Sequence, residues 1–89
     1  GPALFYEFTK NLAASFSSLS GKEREELAAA TLKGAAASVS GETLQTLIDA
    51  VTSKGGVTIA VLEEWRKQNL SQVLKSGVDN GMKRTEELK

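Results

Sequence analysis

The sequence predicts an all-α domain, a small bundle of about five helices. Three observations carry that reading. Apolar residues recur at spacings of three and four along most of the chain, alternation with period two is nowhere sustained, and the breaks fall at Gly, Ser or Asn. The 89 residues, 40% hydrophobic and 25% charged, fit one domain spanning residues 1–89. A chain of this length buries about 60–65% of its unfolded surface, so a lone copy with no disulfide or metal is marginal, and self-association is expected.

The first helix is expected from Ala3 to about Leu19, with Phe5, Phe8, Leu12, Phe16 and Leu19 on one face. Ser20-Gly21-Lys22-Glu23 then has the Ser-x-x-Glu form in which the serine caps a helix start and the glutamate reaches back. The body of this second helix, Glu25 to about Val39, is rich in alanine, with Leu27, Thr31, Gly34 and Ala35 as the expected core stripe. Its small side chains let another helix come close but offer little apolar area, which suits a packing helix in a larger assembly.

Ser40-Gly41 breaks the pattern. Leu44, Leu47, Ile48 and Val51 mark a short third helix ended by Ser53-Lys54-Gly55-Gly56. A fourth runs from Thr58 to about Lys67 with Ile59, Leu62 and Trp65 inward. Gln68-Asn69 is the next break, since Asn tolerates the left-handed conformation that ends helices. Leu70, Val73, Leu74, Gly77, Val78, Gly81, Met82 and Thr85 mark a long fifth helix.

Composition excludes several functions. Lys+Arg and Asp+Glu balance at 11 each with mixed signs, which is not the footprint of a nucleic-acid or anionic-membrane binder. The chain has no Cys and no His, so thiolate nucleophiles, sulfur-ligated metals and Ser–His or Cys–His triads are excluded; no metal site is expected, and a reducing cytoplasm is the expected setting. No apolar run is long enough for a membrane span, and no signal peptide is expected. The chain opens on Gly1-Pro2 without Met, which reads either as a protease scar or as native residues of a longer chain.

One stretch carries chemistry, Val51-Thr52-Ser53-Lys54-Gly55-Gly56-Val57-Thr58-Ile59. Adjacent glycines between a small-hydroxyl cluster and a new helix start let the backbone turn sharply and aim several N–H groups at one spot, which suits a small anion. Taken alone, such a Gly-Gly is more often a plain turn, and Thr58 is expected as the N-cap of the fourth helix, with a ligand role beside it. Trp65 is expected in the core or at a dimer interface, and Lys22 to Glu26 and Lys83 to Lys89 as solvated helix ends.

The segment from Asp49 to Ala60 resembles the signature of the pyrroline-5-carboxylate reductases, whose usual form is D-x-V-S/T-S-P-G-G-T/A-T. Gly1-Pro2-Ala3 is similar to the S-G-P-A-Y entry into the C-terminal domain of that family, Ala30 to Ala36 looks like its alanine helix, and Lys83 to Leu88 resembles its R-S/T-x-E-L ending. Lys54 stands where proline is usual, Val57 where Thr or Ala is usual, and Gln68-Asn69-Leu70-Ser71 where Gly-Gly-Phe-Arg is usual.

The resemblance covers essentially the whole chain and implies the C-terminal domain of such a reductase without its N-terminal Rossmann half. It implies an interlocked homodimer with room for higher assembly, and reduction of Δ1-pyrroline-5-carboxylate to proline with NADH or NADPH bound mainly by the other half. On the same footing, Val51, Ser53, Gly55, Gly56, Val57 and Thr58 bind the substrate. Backbone N–H groups take its carboxylate, and Thr58, the residue with a catalytic role, hydrogen-bonds the ring nitrogen. This chain alone has no G-x-G-x-x-G, binds no dinucleotide and is expected to be inactive. The alternatives are a free-standing helical interaction module and a divergent relative acting on another imine.

Overall fold

The computed structural model describes residues 1–52 and 55–89. Five α-helices account for most of them, α1 (Pro2–Ala14), α2 (Gly21–Ser38), α3 (Leu44–Thr52), α4 (Val57–Lys67) and α5 (Leu70–Glu87), and no strand occurs among the described residues. The all-α reading holds. The chain divides into two units, Gly1–Leu47 and Ile48–Lys89. In the first α1 packs on α2, and in the second α4 packs on α5.

Helix α1 starts at Gly1 with Pro2 in its first turn, where a missing N–H costs nothing. It stops at Ala14, five residues before the expected end at Leu19. The Ser15 hydroxyl donates to the Asn11 carbonyl at 2.9 Å, competing with continued helix, and Ser17 and Ser18 follow. The expected start of α2 is realised in full. Ser20 Oγ accepts the Glu23 N–H at 3.2 Å and the Glu23 carboxylate accepts the Ser20 N–H at 2.9 Å.

α3 opens with the Thr43 hydroxyl accepting the Thr46 N–H at 3.1 Å. Between α4 and α5, Asn69 sits at φ 59° and ψ 48°, the left-handed conformation expected of it.

Burial follows the stripe expected on α4 and departs from the one expected on α2. Ala13, 3% exposed, is the one fully buried residue among those described. On α1 the side facing α2 is Thr9 and Ala13, with Leu12 half-buried, whereas Phe5 remains 67% exposed; Phe16, beyond the end of the helix, is half-exposed. On α2 the half-buried residues are Arg24, Leu27, Ala28 and Leu32; Thr31, Gly34 and Ala35 are exposed. In the second unit Ile59, Leu62 and Trp65 of α4 are half-buried as expected. On α5 Leu70 is half-buried, and every residue from Ser71 onward is exposed, Met82 at 60%. The physical reason is that periodicity shows which face of a helix is apolar and not what covers it. Among the described residues no helix is long and apolar enough to cross a membrane.

Candidate functional site

The loop from α3 into α4 has its geometry written by its glycines. α3 ends with the Thr52 hydroxyl donating back to the Ile48 carbonyl at 2.8 Å, and the Gly55 N–H closes a turn onto the Thr52 carbonyl at 3.0 Å. Gly55 has φ 73°, and Gly56 has φ 98° with ψ −153°, a combination essentially reserved for glycine. A Cβ at either position would meet nothing within 4 Å, so it is the backbone conformation, not crowding, that demands glycine here.

Gly56 is the N-cap of α4, and the first bond across that turn runs from the Ala60 N–H to the Gly56 carbonyl at 3.2 Å. The N–H groups of Val57, Thr58 and Ile59 therefore precede the first intrahelical acceptor. No cap side chain meets them, and no acidic residue stands in the first turn. α2 presents the opposite case, its start closed by Ser20 and Glu23. The start of α4 combines donors unmet among the described residues with the positive end of a helix dipole, an arrangement able to hold a small anion such as a carboxylate. Val57 is 83% exposed and Thr58 is exposed, so the approach is open.

The structure gathers Val51, Gly55, Gly56, Val57 and Thr58 within one unit, on the last turn of α3 and the start of α4. Ser53 and Lys54 lie outside the described residues. Gly55 has its N–H committed to Thr52, so among the described residues the loop donors left over are those of Gly56 to Ile59. Thr58 does not cap the helix as expected: Gly56 takes that position, which puts Thr58 second in the helix, with a hydroxyl that makes no hydrogen bond among the described residues. The displacement follows from Gly56, whose conformation already reverses the chain one residue earlier. No cluster of three metal-binding side chains occurs among the described residues.

Arg24 escaped the sequence reading, which placed it in a solvated first turn. It is half-buried against α1, its Nη2 donating to the Phe16 carbonyl at 3.4 Å. The signal lay in the spacing Arg24, Leu27, Ala28, which puts it on the face of α2 turned toward α1.

Among the described residues five α-helices, and a glycine turn leading into a helix start with no side-chain cap, define an all-α domain. The family model for pyrroline-5-carboxylate reductase dimerisation matches residues 1–88, and the chain belongs to that family. No curated protein and no solved structure matches the chain.

Proposed function

We propose that this chain is the dimerisation and substrate-loop domain of a cytoplasmic reductase of proline biosynthesis, working as a homodimer and converting Δ1-pyrroline-5-carboxylate to proline with NADH or NADPH. The observation that carries this reading is the uncapped start of α4 behind two left-handed glycines, in a member of the pyrroline-5-carboxylate reductase dimerisation family. The substrate is an anion with an electrophilic C=N carbon. The N–H groups of Val57, Thr58 and Ile59 hold its carboxylate, Gly55 and Gly56 let the ring approach the backbone, Val51 and Ser53 complete the binding set on the family's pattern, and the Thr58 hydroxyl bonds the ring nitrogen.

The nicotinamide nucleotide supplies the hydride taken up by the imine carbon. The 89 residues contain no G-x-G-x-x-G, so the nucleotide is held mainly by another part of the parent protein. What these residues contribute is orientation and charge, which requires neither His nor Cys.

The test is an assay of the full-length parent for oxidation of NADH or NADPH dependent on pyrroline-5-carboxylate, with proline as product. Activity in the parent and none in the 89-residue chain is the expected result. A folded parent that oxidises neither nucleotide with this imine overturns the substrate assignment. A parent sequence lacking a dinucleotide-binding unit favours the interaction module instead.

A further inference from the structure

Asn80-Gly81 is the sole Asn-Gly pair of the chain; Asn11 and Asn69 are each followed by Leu. The pair is reactive by its chemistry. The side-chain amide carbon of Asn80 is one five-membered ring closure from the Gly81 backbone nitrogen, and glycine, with no Cβ, puts nothing in the way of that closure. Both residues are exposed, and even an added Cβ at Gly81 would meet nothing within 4 Å.

What opposes the reaction is α5. Asn80 and Gly81 lie in the interior of that helix, which runs from Leu70 to Glu87. There the Gly81 N–H is given to the carbonyl four residues back, that of Gly77. The nucleophile in the ring closure is this nitrogen after loss of its proton, and the helix holds that proton in a hydrogen bond. Two contacts brace the same stretch: Lys75 Nζ meets the Asp79 carboxylate at 2.7 Å, and the Thr85 hydroxyl donates to the Gly81 carbonyl at 3.1 Å. Against them stand Gly77 and Gly81, each of which weakens a helix interior.

We propose that Asn80 is a spontaneous deamidation site gated by α5, held as the amide while the helix is formed and converted in chains whose α5 has opened. Its rate then follows the population of the open form. In the open chain the Gly81 nitrogen, its proton lost to solvent, attacks Cγ of Asn80 and ammonia leaves, which closes a succinimide ring. Water opens the ring at either carbonyl, giving aspartate or isoaspartate. The net exchange is one water taken up and one ammonia released, with one negative charge gained and no oxidant or reductant. In isoaspartate the backbone runs through the side-chain carbon and is one methylene longer, so the residues after it cannot return to the four-residue register of α5. Opening thereby becomes irreversible for that share of the chains.

The test holds the 89-residue chain in mildly alkaline buffer, with and without guanidinium chloride at an unfolding concentration, and digests samples with trypsin. Cleavage after Lys75 and Lys83 isolates residues 76–83, whose mass rises as the amide becomes an acid; chromatography separates isoaspartate from aspartate. Asn80 should convert at least tenfold faster in the unfolded chain, while Asn11 and Asn69 stay amides over the same interval. Gly77→Ala and Ser76→Gly leave the reacting pair untouched and shift helix formation in opposite directions. In the folded chain Gly77→Ala should convert about fivefold more slowly and Ser76→Gly about twofold faster, each with its unfolded rate unchanged and its helix content read by circular dichroism. Equal rates in the folded and unfolded parent, or folded rates of the two variants that do not follow their helix content, overturn the gating by α5. An Asn80 that stays an amide in the unfolded chain overturns the site itself.

Discussion

Gly56 caps α4 two residues ahead of Thr58, which separates the turn from the hydroxyl beside it. With φ 98° and ψ −153°, Gly56 reverses the chain in a conformation that L side chains rarely adopt.

Gly56→Ala should therefore destabilise the domain by about 1–3 kcal/mol, the usual cost of a non-glycine residue in such a region. The measurement is denaturant unfolding. The space around the position is open, so no relief of crowding offsets the strain. An alanine variant as stable as the parent would show that the turn relaxes to an ordinary conformation. The same substitution should weaken substrate binding in the full-length enzyme, because the N–H groups of Val57 and Thr58 are aimed by this turn.

Much of this architecture is legible in sequence, and the limit has a physical cause. Local chemistry was read correctly where it is self-contained: Ser20 with Glu23 closes α2, Asn69 turns left-handed between α4 and α5, and Ile59, Leu62 and Trp65 face inward on α4. The end of α1 was missed because apolar spacing continues to Leu19 while the serines after Ala14 compete for backbone acceptors. The stripe of α2 was read as core although Thr31, Gly34 and Ala35 are open, since periodicity reports a face and not what covers it. At the candidate site the glycines announced the turn. That Gly56, not Thr58, holds the cap depends on one pair of backbone angles, which no residue spacing encodes.

Stability of the α2 start should depend on pH through Glu23. Hydrogen bonds from the Ser20 backbone and side chain hold its carboxyl below the ordinary carboxylate range. A depressed folded value means that the contribution is present above the unfolded pKa and is lost as pH falls through the folded one. Helix content followed by circular dichroism should hold from neutral pH into the carboxylate range and then decline. Glu23→Gln should remove this site's share of the decline. Ser20→Ala should cost about 1 kcal/mol, the typical worth of a serine cap. A Glu23 titration at the ordinary carboxylate value, read by NMR, would show that the reciprocal bonds do not persist in solution.

The 89-residue chain should sediment as a dimer at micromolar concentration, and its thermal midpoint should rise with concentration because association stabilises the folded form by mass action. A chain of 89 residues with no cysteine for a disulfide is marginal as a lone copy. A concentration-independent midpoint with a folded monomer would contradict this.

Thr58→Ala in the full-length enzyme should lower kcat/KM by the worth of one hydrogen bond to a partly charged group, roughly 1.5–3 kcal/mol. Stability should change by no more than about 0.5 kcal/mol, as for an exposed substitution that removes no cap, because Gly56 holds that position and the Thr58 hydroxyl has no partner among the described residues. Thr58→Ser, which keeps the hydroxyl and loses a methyl, should retain most activity. The two readouts together decide the role: lowered kcat/KM with an unchanged melting temperature places the hydroxyl on the substrate. Unchanged kinetics with a lowered melting temperature would mean that Thr58 serves the helix after all. In that case the group bonding the ring nitrogen would have to be sought elsewhere on the loop.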